Sequence, residues 1–185
     1  MTTLVRHLPA RCYSSSKILS VDGALVHFIS AQNILPDDPF NREAIISIFE
    51  DYKLSAHSLI ERDGTEIELV PDLHKAYHAG YSRMNGRDGC NSFTKGYELV
   101  GGTDWPYTDE QILTLGTALA QDMTEHRFTS EWVQGHDKVR ADWIARYPDK
   151  AKAKKVAKKV DPGDHFPWEI LYDMIAGVSA AAGRD

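Results

Sequence analysis

The chain has 185 residues, 42% of them hydrophobic and 26% charged, enough for a single domain with a substantial core. Its formal net charge of −6 argues against general nucleic-acid affinity, and no apolar run is long enough to span a bilayer as a helix. The two cysteines, Cys12 and Cys90, form no C-x-x-C pair and imply no disulfide framework, which suits synthesis in a reducing cytoplasm. The opening residues lack the apolar segment of a secretory signal, so classical secretion is not expected.

Residues 1–23 are mixed, with a Ser14-Ser15-Ser16 cluster and an Asp22-Gly23 turn signal. Ala24-Leu25-Val26-His27-Phe28-Ile29 reads as a buried strand, in which a histidine is either a bonded core residue or a ligand. Asp38-Pro39 reads as an N-cap with proline at the first helical position, opening a helix that places Ile45, Ile46 and Phe49 on one side. Ser55–Ile60 and Thr65–Val70 form the clearest hairpin, joined through Asp63-Gly64, with His57 packed at the sheet and bonded locally. A loop-rich span follows Pro71 and contains Tyr77-His78-Ala79-Gly80 and Gly86-Arg87-Asp88-Gly89.

Lys95–Val100 is the next strand, and alternation turns Glu98 away from Tyr97 and Leu99, toward solvent or into a cleft. Thr108 to Gln111 is a capping box that opens a helix with Ile112, Leu115, Leu119 and Met123 along its core face. Trp132-Val133-Gln134 reads as a short strand with Gly135-His136 at its exit. Residues 142–159 are expected to be helical in part, and Pro167 opens a last helix carrying Trp168, Leu171, Tyr172 and Ile175. The layout is α/β (mixed α+β), a central mixed sheet flanked by helices in a single domain. Charge is unevenly spread: residues 137–159 hold nine Lys or Arg against three acids. Such a run is either a solvated face or a surface for an anionic partner.

Two histidines and one acid, His27, His136 and Asp161, each fall at or beside the end of an expected strand. Zinc in hydrolases takes three such ligands and leaves a fourth position open. No local H-E-x-x-H motif is present, so these spacings alone do not fix a site.

The ordered set of motifs resembles the zinc-dependent N-acetylmuramoyl-L-alanine amidase family. Ser55-Ala-His-Ser-Leu-Ile-Glu-Arg-Asp-Gly64 resembles its central hairpin, and Tyr77-His-Ala-Gly80 its W-H-A-G element. Cys90-Asn91 through Gly96-Tyr-Glu-Leu-Val-Gly101 resembles its N-D-x-S-I-G-I-E-L-x-G strand, and Tyr107 to Gln111 the following helix cap. Gly135-His136 and Lys159-Val-Asp-Pro-Gly163 resemble its closing G-H and K-x-D-P-G elements, so the likeness runs from about residue 24 to residue 168.

The resemblance implies one zinc ion held by His27, His136 and Asp161, with Glu98 and Lys159 as catalytic residues. It implies a substrate cleft lined by His78, Tyr77, Asn91 and Lys53, and a peptidoglycan or muropeptide substrate cut between N-acetylmuramic acid and L-alanine. The chain departs from the family where Tyr77 replaces the W-H-A-G tryptophan and where Gly89 replaces an arginine of the recycling amidases. It also carries a longer, lysine-rich connection between His136 and Asp161. The expected absence of a secretory signal and of a wall-binding domain, with Gly89 and the lysine-rich connection, favours a monomeric phage endolysin, made in the cytoplasm and released to a Gram-negative wall. A cytoplasmic recycling amidase acting on 1,6-anhydro-muropeptides is the alternative, and a non-catalytic peptidoglycan-binding protein a third reading.

Overall fold

The computed structural model describes residues 5–7, 12–17 and 20–181. Its strands are β1 (Val5–His7), β2 (Ser14–Lys17), β3 (Gly23–Ile29), β4 (Ser58–Ile60), β5 (Glu66–Glu68), β6 (His74–Lys75), β7 (Arg83–Met84), β8 (Arg87–Asp88), β9 (Thr94–Val100) and β10 (Val133–Gly135). Its helices are α1 (Arg42–Asp51), α2 (Asp109–His126), α3 (His136–Arg146), α4 (Pro148–Ala153) and α5 (Trp168–Ala181). The central sheet runs β1-β5-β4-β9-β3-β10; only the β4–β5 hairpin is antiparallel, so the expected mixed sheet flanked by helices is present. No helix among the described residues is long and apolar enough to cross a membrane.

The two long central strands, β3 and β9, carry apolar side chains on both faces because helices or loops cover both. Ala24, Val26, Tyr97 and Leu99 face α2 and α5, meeting the predicted stripe of Ile112, Leu115, Leu119 and Met123. On the opposite face, Leu59, Val100, Ile45 and Phe49 form one cluster with α1, and Leu25, Ala79, Met84, Phe93 and Val139 form another. Each such fully buried large side chain contributes roughly 1.5–3 kcal/mol of apolar burial. The polar residues His27 and Glu98 lie on the same face as Leu25 and Leu59, so the site is set among these apolar clusters.

The capping box at Thr108 and Gln111 forms as the sequence dictates, each side chain bonding the other's backbone N–H. The predicted cap at Asp38 does not: α1 starts at Arg42, with Asn41 as N-cap accepting from the Ala44 N–H. Asp38 is instead tied to Asn41, whose Nδ2 donates to Asp38 Oδ2 at 3.0 Å. Two strand pairs arise where the sequence shows no period-2 pattern, β2 with β6 and β7 with β8. They are short, and they shape the loops rather than the core.

Candidate active site

His27 enters from the middle of β3, His136 from the first turn of α3 directly after β10, and Asp161 from the loop after α4. Because β3 and β10 are parallel neighbours, the end of one delivers His136 beside the His27 ring, with ring centroids 4.7 Å apart. Asp161 is fixed by main-chain contacts: its carbonyl accepts from Asp137 N at 2.9 Å, and the next carbonyl, of Pro162, accepts from Tyr107 Oη at 2.6 Å.

The three side chains converge on one point. His27 Nδ1 is 3.1 Å from His136 Nδ1, and each lies 2.9 Å from Asp161 Oδ2. Ligand atoms about 2.0–2.2 Å from a tetrahedral zinc stand roughly 3.3 Å from one another, so this triangle has the size of a zinc face. The second nitrogen of each ring selects the tautomer that the metal needs. His136 Nε2 donates to Ala79 O at 3.0 Å, which leaves its Nδ1 lone pair for the centre. His78 Nε2 donates to Thr94 O at 3.3 Å, so His78 Nδ1 accepts from His27 Nε2 at 3.1 Å and frees His27 Nδ1 likewise.

Lone pairs and a carboxylate packed this closely repel unless a cation stands among them. Burial would raise the Asp161 carboxyl, but hydrogen bonds from His136 and His27 and their charge outweigh it, holding it well below the usual carboxylate range. Glu98 has the opposite fate. Burial pushes it up to about 7, a rise that Asp161 reinforces and that His27 and Lys159 oppose. Its Oε2 is buried with no hydrogen-bond partner among the described residues. A carboxylate oxygen left so beside a triad of metal-ligand spacing lacks only a proton donor, such as a water held by a cation. The residues therefore fit a zinc ion.

The other predicted residues fall unevenly around this centre. Lys159 is exposed, two residues from Asp161, and its charge acts on Glu98. Tyr77 is 37% exposed and Lys53 is exposed, both free to meet a ligand. His78, expected to line the cleft, is instead buried behind the His27 ring, over Gly96, where any β-carbon would come within 2.5 Å of its imidazole. Asn91 spends its Oδ1 on the backbone N–H groups of His78 and Ala79, which shapes the 77–80 loop from within. His57 behaves as expected, accepting from Gly96 N at 2.9 Å and donating to His74 O at 3.0 Å. Arg140, which the sequence reading passed over, lies one helical turn after His136 and is 9% exposed. Its i, i+4 spacing from the expected ligand His136 was the available signal.

The profile of the N-acetylmuramoyl-L-alanine amidase family matches residues 18–164. The 1,6-anhydro-N-acetylmuramyl-L-alanine amidase AmpD of Haemophilus influenzae is 34% identical over 117 residues, covering 63% of this chain and 56% of that protein. AmpD of Escherichia coli K12 is 33% identical over 116 residues, covering 63% and 55%. The chain thus spans little more than half the length of the curated relatives it matches. Among solved structures, the crystal structure of an AmpD derivative aligns with a TM-score of 0.74 at 26% identity, over 95% of this chain and 96% of that one. Escherichia coli AmiD, solved with anhydro-N-acetylmuramic acid-L-Ala-D-gamma-Glu-L-Lys, shares the fold with a TM-score of 0.64 at 20% identity, over 89% and 61%. Fold, motif order and profile agree: the chain belongs to the N-acetylmuramoyl-L-alanine amidase family.

Proposed function

We propose that the protein is a zinc-dependent amidase that cuts the bond between the lactyl group of N-acetylmuramic acid and L-alanine. The observation that carries this reading is the His27–His136–Asp161 triangle with the buried Glu98 carboxyl on the neighbouring strand. Zinc, when held by these three residues, supplies a Lewis acid and makes water nucleophilic near neutral pH. Glu98, raised to about 7, can take a proton from the attacking water and hand it to the departing amine of L-alanine. Lys159, exposed two residues before Asp161, would stabilise negative charge developing on the carbonyl oxygen. The exposed Tyr77 offers an aromatic face to the muropeptide, and Lys53 a cation. All of these groups come from one chain, so the chemistry calls for no second copy.

Within this activity we place the protein with the recycling amidases, acting on small 1,6-anhydro-muropeptides in the cytoplasm, rather than with phage endolysins. The endolysin expectation rested in part on Gly89 and the lysine-rich segment, two local departures. The curated relatives matched over residues of the same family are named for 1,6-anhydro substrates, which favours the recycling reading.

The test is to incubate zinc-loaded protein with anhydro-N-acetylmuramyl-tripeptide and follow release of a peptide with a free L-alanine amino group by mass spectrometry. No release would end the amidase reading. Faster turnover of intact sacculi than of the soluble substrate, with clearing of chloroform-permeabilised Gram-negative cells, would restore the endolysin.

A further inference from the structure

Arg140 is a buried cation whose strong hydrogen bonds all go to main-chain carbonyls. Its Nε donates to Tyr81 O at 2.6 Å, its Nη1 to Ala157 O at 3.1 Å and its Nη2 to Ala79 O at 3.2 Å. A buried charge is costly unless its donors are satisfied, so the three carbonyls and the guanidinium hold one another in place. The carbonyls come from two segments distant in sequence, the 79–81 loop and the lysine-rich stretch before Asp161.

The Ala79 carbonyl has a second donor, His136 Nε2 at 3.0 Å. Arg140 Nη2, itself only a donor, stands 3.5 Å from that nitrogen, so Arg140 acts on the ring by fixing the shared carbonyl and not by a bond to Nε2. Gly80 completes the arrangement. It has φ +55, and a β-carbon there would stand 3.1 Å from Arg140 Nη2, so only glycine gives both the turn and the room. The loop's outer face is braced by aromatic rings: Tyr81 stacks on Trp143 of α3 at 4.7 Å, and Lys154 sits over the Tyr81 ring at 5.7 Å.

We propose that Arg140 is a positioning residue that locks His136 in its coordinating tautomer and, with the same guanidinium, docks the lysine-rich segment onto the 77–81 loop. Metal affinity and the order of that segment are then two readouts of one contact. The inference rests on the zinc reading above for its first half and on hydrogen-bond geometry alone for its second.

The experiment compares wild type with Arg140→Lys, which keeps the charge and loses the planar fork. Zinc affinity is measured by competition with a chromophoric chelator, and segment order by the rate of cleavage with a lysine-specific protease at 150–159. The expected result is a zinc Kd weakened about 10–100-fold, the usual cost of a lost outer-shell partner, with faster cleavage of the segment. Wild-type affinity and cleavage in a folded Arg140→Lys would overturn the proposal, and a change in only one of them would overturn the coupling. Should Arg140→Lys fail to fold, Gly80→Ala presses on the same guanidinium and is read in the same two ways. A wild type that binds no zinc would instead defeat the metal-centre reading, a result distinct from equal affinity in the two proteins.

Discussion

His27 and Glu98 are register partners on adjacent parallel strands, so a proposed metal ligand and a buried carboxyl share one face of the sheet at neighbouring positions. The relationship follows from strand pairing alone: once β3 and β9 align with Leu25 beside Gly96, the next residues on that face are these two. The sheet thus supplies the relative placement of the proposed base and ligand, and only His136 and Asp161 have to be delivered by later segments.

The first prediction concerns the ligands. Wild type should bind one zinc per chain, and His27→Ala, His136→Ala and Asp161→Ala should each fall well below that. The ligands must be deprotonated to hold the metal, so zinc affinity should weaken as pH falls. Metal analysis after gel filtration checks the stoichiometry. Full occupancy in His136→Ala would remove that residue from the ligand set.

Glu98 yields a prediction about stability as well as rate. Its folded value, about 7, lies above its ordinary value of 4.5 because burial disfavours the charge. Between those values the folded protein holds a proton that the unfolded chain releases, so stability falls as pH rises through this window. In metal-free protein, Glu98→Gln should therefore be more stable than wild type at pH 8, by up to about 3 kcal/mol, with the gap closing below pH ~4.5. Denaturant melts at the two pH values measure it. With zinc bound the same variant should lose about 10²–10⁴-fold in turnover, the usual contribution of an acid–base group. A near-normal rate would assign Glu98 to structure only.

Much of this was legible in the chain because it was local. Thr108 and Gln111 announce a helix start three residues apart, and Asp63-Gly64 lies between two strands that the turn itself pairs. The failure at Asp38 has the same local origin: two capping residues, Asp38 and Asn41, stand three apart, and proline tipped the choice to the wrong one. His78 and Arg140 were not legible in role. Their partners lie 51 residues away at His27 and up to 61 away at Ala79, and such contacts depend on how loops close over the sheet. The resemblance brought His78 to the site, but only the geometry turned it from the cleft toward the back of a ligand ring.

That placement separates two outcomes for His78→Phe. The phenyl ring keeps the bulk over Gly96 but cannot accept from His27 Nε2, leaving a buried donor unsatisfied. Zinc affinity should weaken about 10–100-fold. A residue that lined the substrate cleft would leave zinc affinity alone and raise KM. Chelator competition alongside kinetics at saturating zinc distinguishes them.

The last prediction concerns the lysines of the segment before Asp161. Lys150, Lys152, Lys154 and Lys155 are exposed, and none forms an ion pair among the described residues. Lys154 lies over the ring of Tyr81 in the 77–81 loop, and Lys150 over the ring of Tyr147. They carry excess positive charge on an otherwise acidic chain, so an anionic polymer would meet its attraction here, screened over about 10 Å at 0.1 M salt. Changing all four to glutamine should leave zinc content unchanged and hydrolysis of a small soluble muropeptide within about twofold, because isolated surface charges contribute little to folding. Residual binding to sacculi should fall several-fold at low salt and converge with wild type at high salt. Pelleting with purified sacculi across a salt series reads the second effect, and peptide release reads the first. Equal loss on the soluble substrate would show that these lysines shape the cleft itself. Unchanged binding at every salt concentration would reduce them to a solvated helix face, the plainer of the two readings that their sequence allows.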